Sequence, residues 1–412
     1  MPPGASSVLR PARDDVPAAG LDAAAVHGWS ARVCFKTGPP RLVGAELEWL
    51  VARRDDPTLP VPLPHLRAVC EAAGPPPRGS RVTFEPGGQV ELSSLAHLGP
   101  SACWHALAED AAHLHRAVTD AGLRLLPTGL DPWRAPHRQL QHPRYDAMAG
   151  YFAAVGGATA ELGPVMMTGT ASTQVNLDVG RDAPDAARRW HLLHTVGPAL
   201  VAAFANSPRH AGHSTGWVSG RQRVWQGLDP RRTSPVTTGA AGDPVREWAD
   251  YVLDAPLMLS ERAGDDWSAP AGLTLRGRLD EQAPTTTAEL ATHASTLFPP
   301  VRPRGWFEVR YLDAQPDGWW PVPVAVLSAL LDDERAGEAA AEACTGAADW
   351  AAAARDGLGA PGLQVAALAC LDAAVPALAR LGEHDALADL VRAFRDRWTA
   401  LGRCPADDPL EP

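Results

Sequence analysis

Lysine is nearly absent: Lys36 is the only one in 412 residues. That excludes a P-loop GxxxxGK[ST], the strand lysine of a protein kinase and a downstream Schiff-base lysine. If the chain handles nucleotide phosphates, arginine and metal must do it. The six cysteines (Cys34, Cys70, Cys103, Cys344, Cys370, Cys404) are scattered with no CxxC pair. This excludes a zinc-finger spacing and suits free thiols in a reducing cytoplasm. No run reaches the roughly 18 uninterrupted apolar residues of a membrane span, and the N-terminus shows no apolar core of a secretory signal. Positive charge is also short: the formal net charge is −11, which argues against nucleic acid or an anionic membrane as main partner. The expectation is a cytoplasmic monomer acting on small molecules.

What is present is acid at alternate positions. Val43–Val51 reads as a strand in which Glu46 and Glu48 point to one face. Two such carboxylates repel unless a positive group sits between them. A hard divalent cation with oxygen ligands would serve, and a solvated acidic edge strand is the alternative. The stretch Arg81–Ser93 is two extended runs around Pro86-Gly87-Gly88, a hairpin or bulge signal that brings Glu85 and Glu91 to either side of a reversal. Met166–Asp178 reads as a strand with Gln174, Asn176 and Asp178 on one face. Gly305–Tyr311 repeats the pattern, with Glu308 and Arg310 alternating with Phe307, Val309 and Tyr311.

Helical spacing is read over 22–34, Leu66–Ala73, 101–121, from Arg144 onward, Ala186–Ala205 and Thr285–Leu297. A strand is read at Leu123–Gly129, and another after the helix ending at Asp254–Pro256. The segment 209–240 is rich in Gly, Arg and Thr with little regular pattern; its arginines suit an anion-binding loop or a solvated basic loop. Three domains are expected. Residues 1–38 form a poorly ordered tail and short helix, 39–320 a catalytic unit, and 321–412 an Ala-rich region of three or four helices packed on it. The polar strand faces together could line one cavity. A cup of carboxylates holding two or three Mg²⁺ ions, with arginines opposite, is a site for nucleotide phosphates in a chain without a P-loop.

Several stretches resemble the plant/proteobacterial-type glutamate–cysteine ligases, most closely their actinobacterial ergothioneine-pathway branch. They are GAELE (44–48), GSRVTFEPGGQVELSS (79–94), RYDAM (144–148), TQVNLD (173–178), SGRQRVW (219–225), DPRRT (229–233), DYVLDAP (250–256) and LFPPVRPRGWFEVRYLD (297–313). The resemblance spans roughly 40–330. It implies an α+β, glutamine-synthetase-like funnel of antiparallel sheet with helices outside. It implies ATP-dependent ligation of the γ-carboxyl of L-glutamate to the amine of L-cysteine through a γ-glutamyl phosphate.

The same resemblance implies metal positions at Glu46, Glu48, Glu85, Glu91, Gln174 and Glu308, with Mn²⁺ able to replace Mg²⁺. Asn176 would support that shell and the nucleotide. Arg221, or Arg223 in its place, would hold glutamate's α-carboxylate, with Tyr251 and Arg144 nearby. Arg232, Arg304 and Arg310 would face phosphates, so that Arg310, Arg232 and Glu308 form the catalytic set. Ser234 departs from the glycine common in relatives and loosens the register of the arginine loop. The cysteines that regulate plant relatives lack counterparts, so no redox switch is expected. Two alternatives stay open: a carboxylate–amine ligase with another acceptor, and a non-catalytic glutamate- or ATP-binding protein on the same scaffold.

Overall fold

The computed structural model describes residues 21–237, 242–261 and 264–409. The expected disordered tail at 1–20 lies outside them. Ten strands are described: β1 (Leu42–Arg53), β2 (Arg81–Phe84), β3 (Val90–Ser93), β4 (His97–Leu98), β5 (Leu123–Leu126), β6 (Thr173–Asp178), β7 (Arg209–His210), β8 (His213–Ser214), β9 (Val301–Pro303) and β10 (Trp306–Val309). Eight form one antiparallel sheet in the order β2-β3-β1-β6-β10-β9, with β4 and β5 pairing the two ends of the long β1. β7 and β8 are a separate small hairpin. The structure is the expected α+β fold, an open antiparallel sheet with many helices.

Alternation decides what each face of the sheet does. Val43, Ala45, Leu47, Val90, Leu92, Val175, Leu177, Phe307 and Val309 are buried in one large core. That core runs without a break into the helices after residue 320, through Val324, Leu327, Leu331, Leu371 and Phe394. The opposite face carries the polar residues. Its hairpin depends on two glycines: Gly88 has φ +88°, and a Cβ on Gly87 would lie 2.2 Å from the Thr168 carbonyl oxygen. Gln139 N–H bonds the Pro86 carbonyl at 2.7 Å and fixes the turn from outside.

A buried ion network ties the sheet to the C-terminal helices. Arg189 (3% exposed) reaches Asp332 at 2.7 Å, Asp185 at 3.2 Å and Asp178, on β6, at 3.6 Å. Among the described residues, five α-helices follow residue 320 rather than three or four: Pro321–Asp332, Glu334–Ala343, Trp350–Asp356, Leu363–Arg380 and Asp385–Arg397. Leu363–Arg380 is long and apolar enough to cross a membrane. Here its inner face, including Ala367, Cys370, Leu371 and Ala374, is part of the core.

Several expectations are corrected. Residues 166–169 are the end of a helix, Gly157–Gly169, and extended structure starts only at Thr173. That turn is buried all round (Val165, Met166, Met167), and a fully buried apolar run has no periodicity to separate helix from strand. The helix expected over Ala186–Ala205 is two, Ala183–Thr195 and Gly197–Ala203, because Pro198 cannot continue the preceding hydrogen-bond ladder. Two short helices, Gly220–Gln226 and Pro230–Thr233, order the 209–240 segment, capped by Ser219 and Asp229; residues 238–241 lie outside the described ones. Between the helix Pro244–Asp254 and the next one, Leu275–Asp280, the described residues contain no strand, only the isolated bridges Pro256–Thr274 and Leu259–Ser268.

Candidate active site

The strand register lines the polar side chains into rows across the sheet. In one row Thr83, Glu91 and Glu48 stand opposite one another on β2, β3 and β1. In the next are Ser93, Glu46 and Gln174, on β3, β1 and β6. A third runs Gly44, Asn176, Glu308, Arg302 across β1, β6, β10 and β9. Acid dominates at the β2–β3–β1 end and arginine at the β10–β9 end.

The carboxylates are held by amides and hydroxyls. Gln174 donates to Glu48 at 2.7 Å and Asn176 to Glu46 at 3.0 Å. Thr83 and Ser93 hydroxyls donate to Glu91 at 2.8 and 2.7 Å. Asn176 is oriented in turn by Trp306, whose Nε1 donates to its Oδ1 at 3.1 Å. Glu308 differs from the rest. It is 1% exposed and accepts from Arg302 Nε at 2.7 Å, Arg304 Nη1 at 2.9 Å and Arg310 Nη1 at 3.0 Å. Arg310 also bonds Gln174 Oε1 at 2.8 Å, so one guanidinium links the acid rows to the arginine cluster. Its carbon lies 5.8 Å from the Trp225 ring centre and 5.7 Å from that of Phe298.

This division shifts the acids in opposite directions. Burial, with the charges of Glu91 and Glu308, pushes Glu46 up to about 7. Burial, with Glu91 and Glu48, pushes Glu85 up to about 8. Burial also raises Glu48 and Glu91. Burial alone would raise Glu308 too, but Arg302, Arg310 and Arg304 outweigh it and hold its carboxyl well below the usual range.

The acids therefore sit in a field short of positive charge, which is what a hard cation relieves. The donor set of carboxylates plus the Gln174 amide suits Mg²⁺. Among the described residues, however, no three acidic, histidine or cysteine side chains converge on one ligating point. Glu46 and Glu48 would have to turn from their amide partners, and a cation at Glu308 would have to displace an arginine.

A pH dependence of stability follows. Below about pH 6.5 two opposing effects overlap. Folding keeps protons on Glu46 and Glu85 that the unfolded chain has lost. Against that, burial holds His194 at about 4 and His293 at about 3, refusing protons that the unfolded chain takes up. Above about 6.5 the two histidines are less than half protonated even in the unfolded chain, and the protons that folding keeps on Glu46 and Glu85 outnumber theirs. The folded state then binds more protons than the unfolded one, so stability falls as pH rises to about 8. Thermal melts in chelator-containing buffer are expected to drop by several degrees over that range; a flat or rising melting temperature would contradict the charge crowding.

The predicted substrate residues divide. Arg221, on the inner face of the Gly220–Gln226 helix, is 2% exposed. Its Nη2 donates to the Arg310 carbonyl at 2.8 Å, while Nε and Nη1 are buried without a protein acceptor. Glu48 and Arg310 act on its charge, so it adjoins the acid rows. Arg223, two residues on, is exposed. At 100° per residue the two cannot share a helix face, and Arg223 points away from the buried side that carries Arg221.

Tyr251 OH is buried without a partner. It lies within electrostatic reach of Arg232. Arg144 bonds Ser295 and lies near Glu85 and Arg304. Arg232 is not brought to the acid rows by any hydrogen bond. It is 1% exposed and donates to the carbonyls of Pro256 and Thr296, tying those two segments together. Its Nε is left without a partner.

Sequence reasoning missed three contributors. Arg302, on β9, lies two residues before Arg304 and donates to the same Glu308, so the spacing of the two arginines could have found it. Trp225 and Phe298, which flank Arg310, come from separate segments and have no local signal. The two rings also wall a cleft, together with Gln222, Tyr311, Trp350 and Arg310 itself.

The sequence profile of glutamate–cysteine ligase family 2 matches residues 42–411, nearly the whole chain. The chain belongs to that family. It is 44% identical over 387 residues to the glutamate–cysteine ligase EgtA of Mycolicibacterium smegmatis, covering 91% of this chain and 88% of the relative. With the EgtA of Mycobacterium tuberculosis the identity is 41% over 423 residues, covering 99% and 94%. A chloroplastic glutamate–cysteine ligase of Brassica juncea is 33% identical over 250 residues, covering 57% and 46%. Among solved structures, the glutamate–cysteine ligase of Francisella tularensis in complex with AMP shares the fold: TM-score 0.55, 12% identity, 90% of this chain and 84% of that one.

Proposed function

We propose that this chain is an ATP-dependent glutamate–cysteine ligase. It joins the γ-carboxyl of L-glutamate to the amine of L-cysteine, giving γ-glutamylcysteine, ADP and phosphate, and supplies ergothioneine biosynthesis in the cytoplasm. The observation that carries the reading is the polar face of the sheet, an acid half abutting an arginine half, in a chain similar over nearly its full length to two enzymes named EgtA.

Each residue has a task that its surroundings support. Glu46, Glu48, Glu85 and Glu91, with the Gln174 amide, would hold Mg²⁺. Bound there, the ion supplies charge neutralisation for the nucleotide phosphates. Arg310 and Arg304 stand at the border between acid and arginine, where a transferred phosphoryl group needs neutralising. Glu308 keeps three guanidiniums ionised and aimed. Arg221, with two donors still open, binds the α-carboxylate of glutamate, with the unpartnered Tyr251 hydroxyl as a second candidate donor to the substrate.

The γ-carboxylate attacks the terminal phosphorus of ATP, ADP leaves, and the acyl phosphate is then attacked by the cysteine amine with loss of phosphate. No protein nucleophile is needed. The water-poor setting strengthens each charge contact. Incubation with ATP, Mg²⁺, glutamate and cysteine, followed by product analysis, is expected to yield γ-glutamylcysteine with one ADP per peptide. ADP release with glutamate and another amine, but not with cysteine, would move the reading to a ligase with a different acceptor. Glutamate binding without turnover would make the chain a non-catalytic relative.

A further inference from the structure

Asp313 lies beyond the end of β10, is 2% exposed and is absent from the roles assigned above. Its Oδ2 accepts the Asn206 backbone N–H at 2.8 Å and the Ser207 hydroxyl at 2.7 Å. Its Oδ1 accepts the Ser219 hydroxyl at 2.9 Å. Neither hydroxyl is an end point. Ser207 Oγ accepts the backbone N–H of Arg221 at 3.0 Å, and Ser219 Oγ that of Gln222 at 3.1 Å. The two serines are themselves bridged through their backbones. One carboxylate thus reaches two consecutive N–H groups in the first turn of the helix that carries Arg221.

The other end of Arg221 is held from the same segment as Asp313, since its Nη2 donates to the carbonyl of Arg310. Asp313 is also the leading attractive charge on the Arg221 guanidinium. The carboxylate has little room to move: a Cβ on Gly129 would lie 2.7 Å from its Cγ.

We propose that Asp313 is a positioning residue for Arg221: through the hydroxyls of Ser207 and Ser219 it sets the placement of that guanidinium, and so the affinity for the amino-acid substrate's α-carboxylate. The inference rests on the reading of Arg221 given above. Asp313→Asn keeps the shape but puts an amide N–H against groups that are already donors. The double variant Ser207→Ala/Ser219→Ala breaks the relay while leaving the carboxylate with its backbone partner.

Both are assayed by ADP release, with KM measured separately for glutamate and ATP, beside a thermal melt. A glutamate KM raised about tenfold or more, with the ATP KM within about twofold, is expected in both variants, because ångström-scale misplacement of a binding group carries such penalties. Arg221→Ala serves as the reference. If it leaves the glutamate KM unchanged, the reading of Arg221 fails and the relay with it. If Arg221→Ala raises that KM but the double variant moves both KM values together, or neither, Asp313 is merely structural and the proposal is overturned. Should Asp313→Asn fail to fold, the double variant decides alone.

Discussion

Glu308→Ala is expected to abolish ligase activity and to lower the melting temperature sharply in the ligand-free protein. The carboxylate is the common partner of Arg302, Arg304 and Arg310 at 2.7–3.0 Å, and Arg302 is itself only 7% exposed. Removing one member of a buried ion cluster leaves uncompensated charge, which typically costs about 3–5 kcal/mol. Here three like charges would be left facing one another. Arg310 would lose the bond that aligns it with Gln174, so the catalytic effect exceeds the stability effect. Glu308→Gln keeps the volume and is expected to recover part of the stability but not the activity. Thermal melts with an ADP-release assay check both. A Glu308→Ala protein that melts like the parent and turns over normally would sink the assignment.

Glu85→Gln is expected to do the reverse to stability while still removing activity. Burial and the charges of Glu91 and Glu48 disfavour its ionised form, so a neutral isostere relieves repulsion in the ligand-free protein. The melting temperature at pH 8 should rise in chelator-containing buffer. Turnover should fall by about 10²–10³, the scale for loss of one group stabilising transition-state charge. The stabilisation by Mg²⁺ and ATP seen with the parent should shrink as well. A more stable but inactive protein is the signature of an acid kept for function against its local energetic interest. If Glu85→Gln is both destabilised and active, the acid serves the fold alone.

Much of the site was legible because a strand has period two. Once Glu46 and Glu48, Gln174 and Asn176, and Glu308 and Arg310 were read on extended runs, each pair had to share a face, and the Pro-Gly-Gly reversal brought Glu85 and Glu91 to either side of one turn. The structure pairs Glu46, Glu48, Glu91, Gln174, Asn176 and Glu308 across one sheet, while Glu85 sits in the turn just after β2 and Arg310 just past the end of β10. Errors arose where the local signal was degenerate. The buried turn at Met166 and Met167 reads equally as strand or helix. Arg221 and Arg223 looked interchangeable until a helix, invisible as a pattern in seven residues, turned one inward and the other out. The resemblance implied a phosphate-facing Arg232; the backbone carbonyls of Pro256 and Thr296, which take its donors, come from segments distant in the chain and leave no local signal.

The sequence by itself therefore determined the two faces of each strand, the lack of any lysine-based phosphate chemistry, and the kinds of group available for the reaction. These depend on backbone periodicity and composition, which are local. The tertiary structure decided which carboxylate lies opposite which. It set Glu48 across from Glu91, where both are raised, and Glu308 across from Arg302, where three arginines hold it ionised. It also placed Asp313 behind Arg221, through two serines distant in the chain from that acid. Strand register and helix packing are set by the burial of the opposite, apolar face, and no property of the acids themselves encodes that registration.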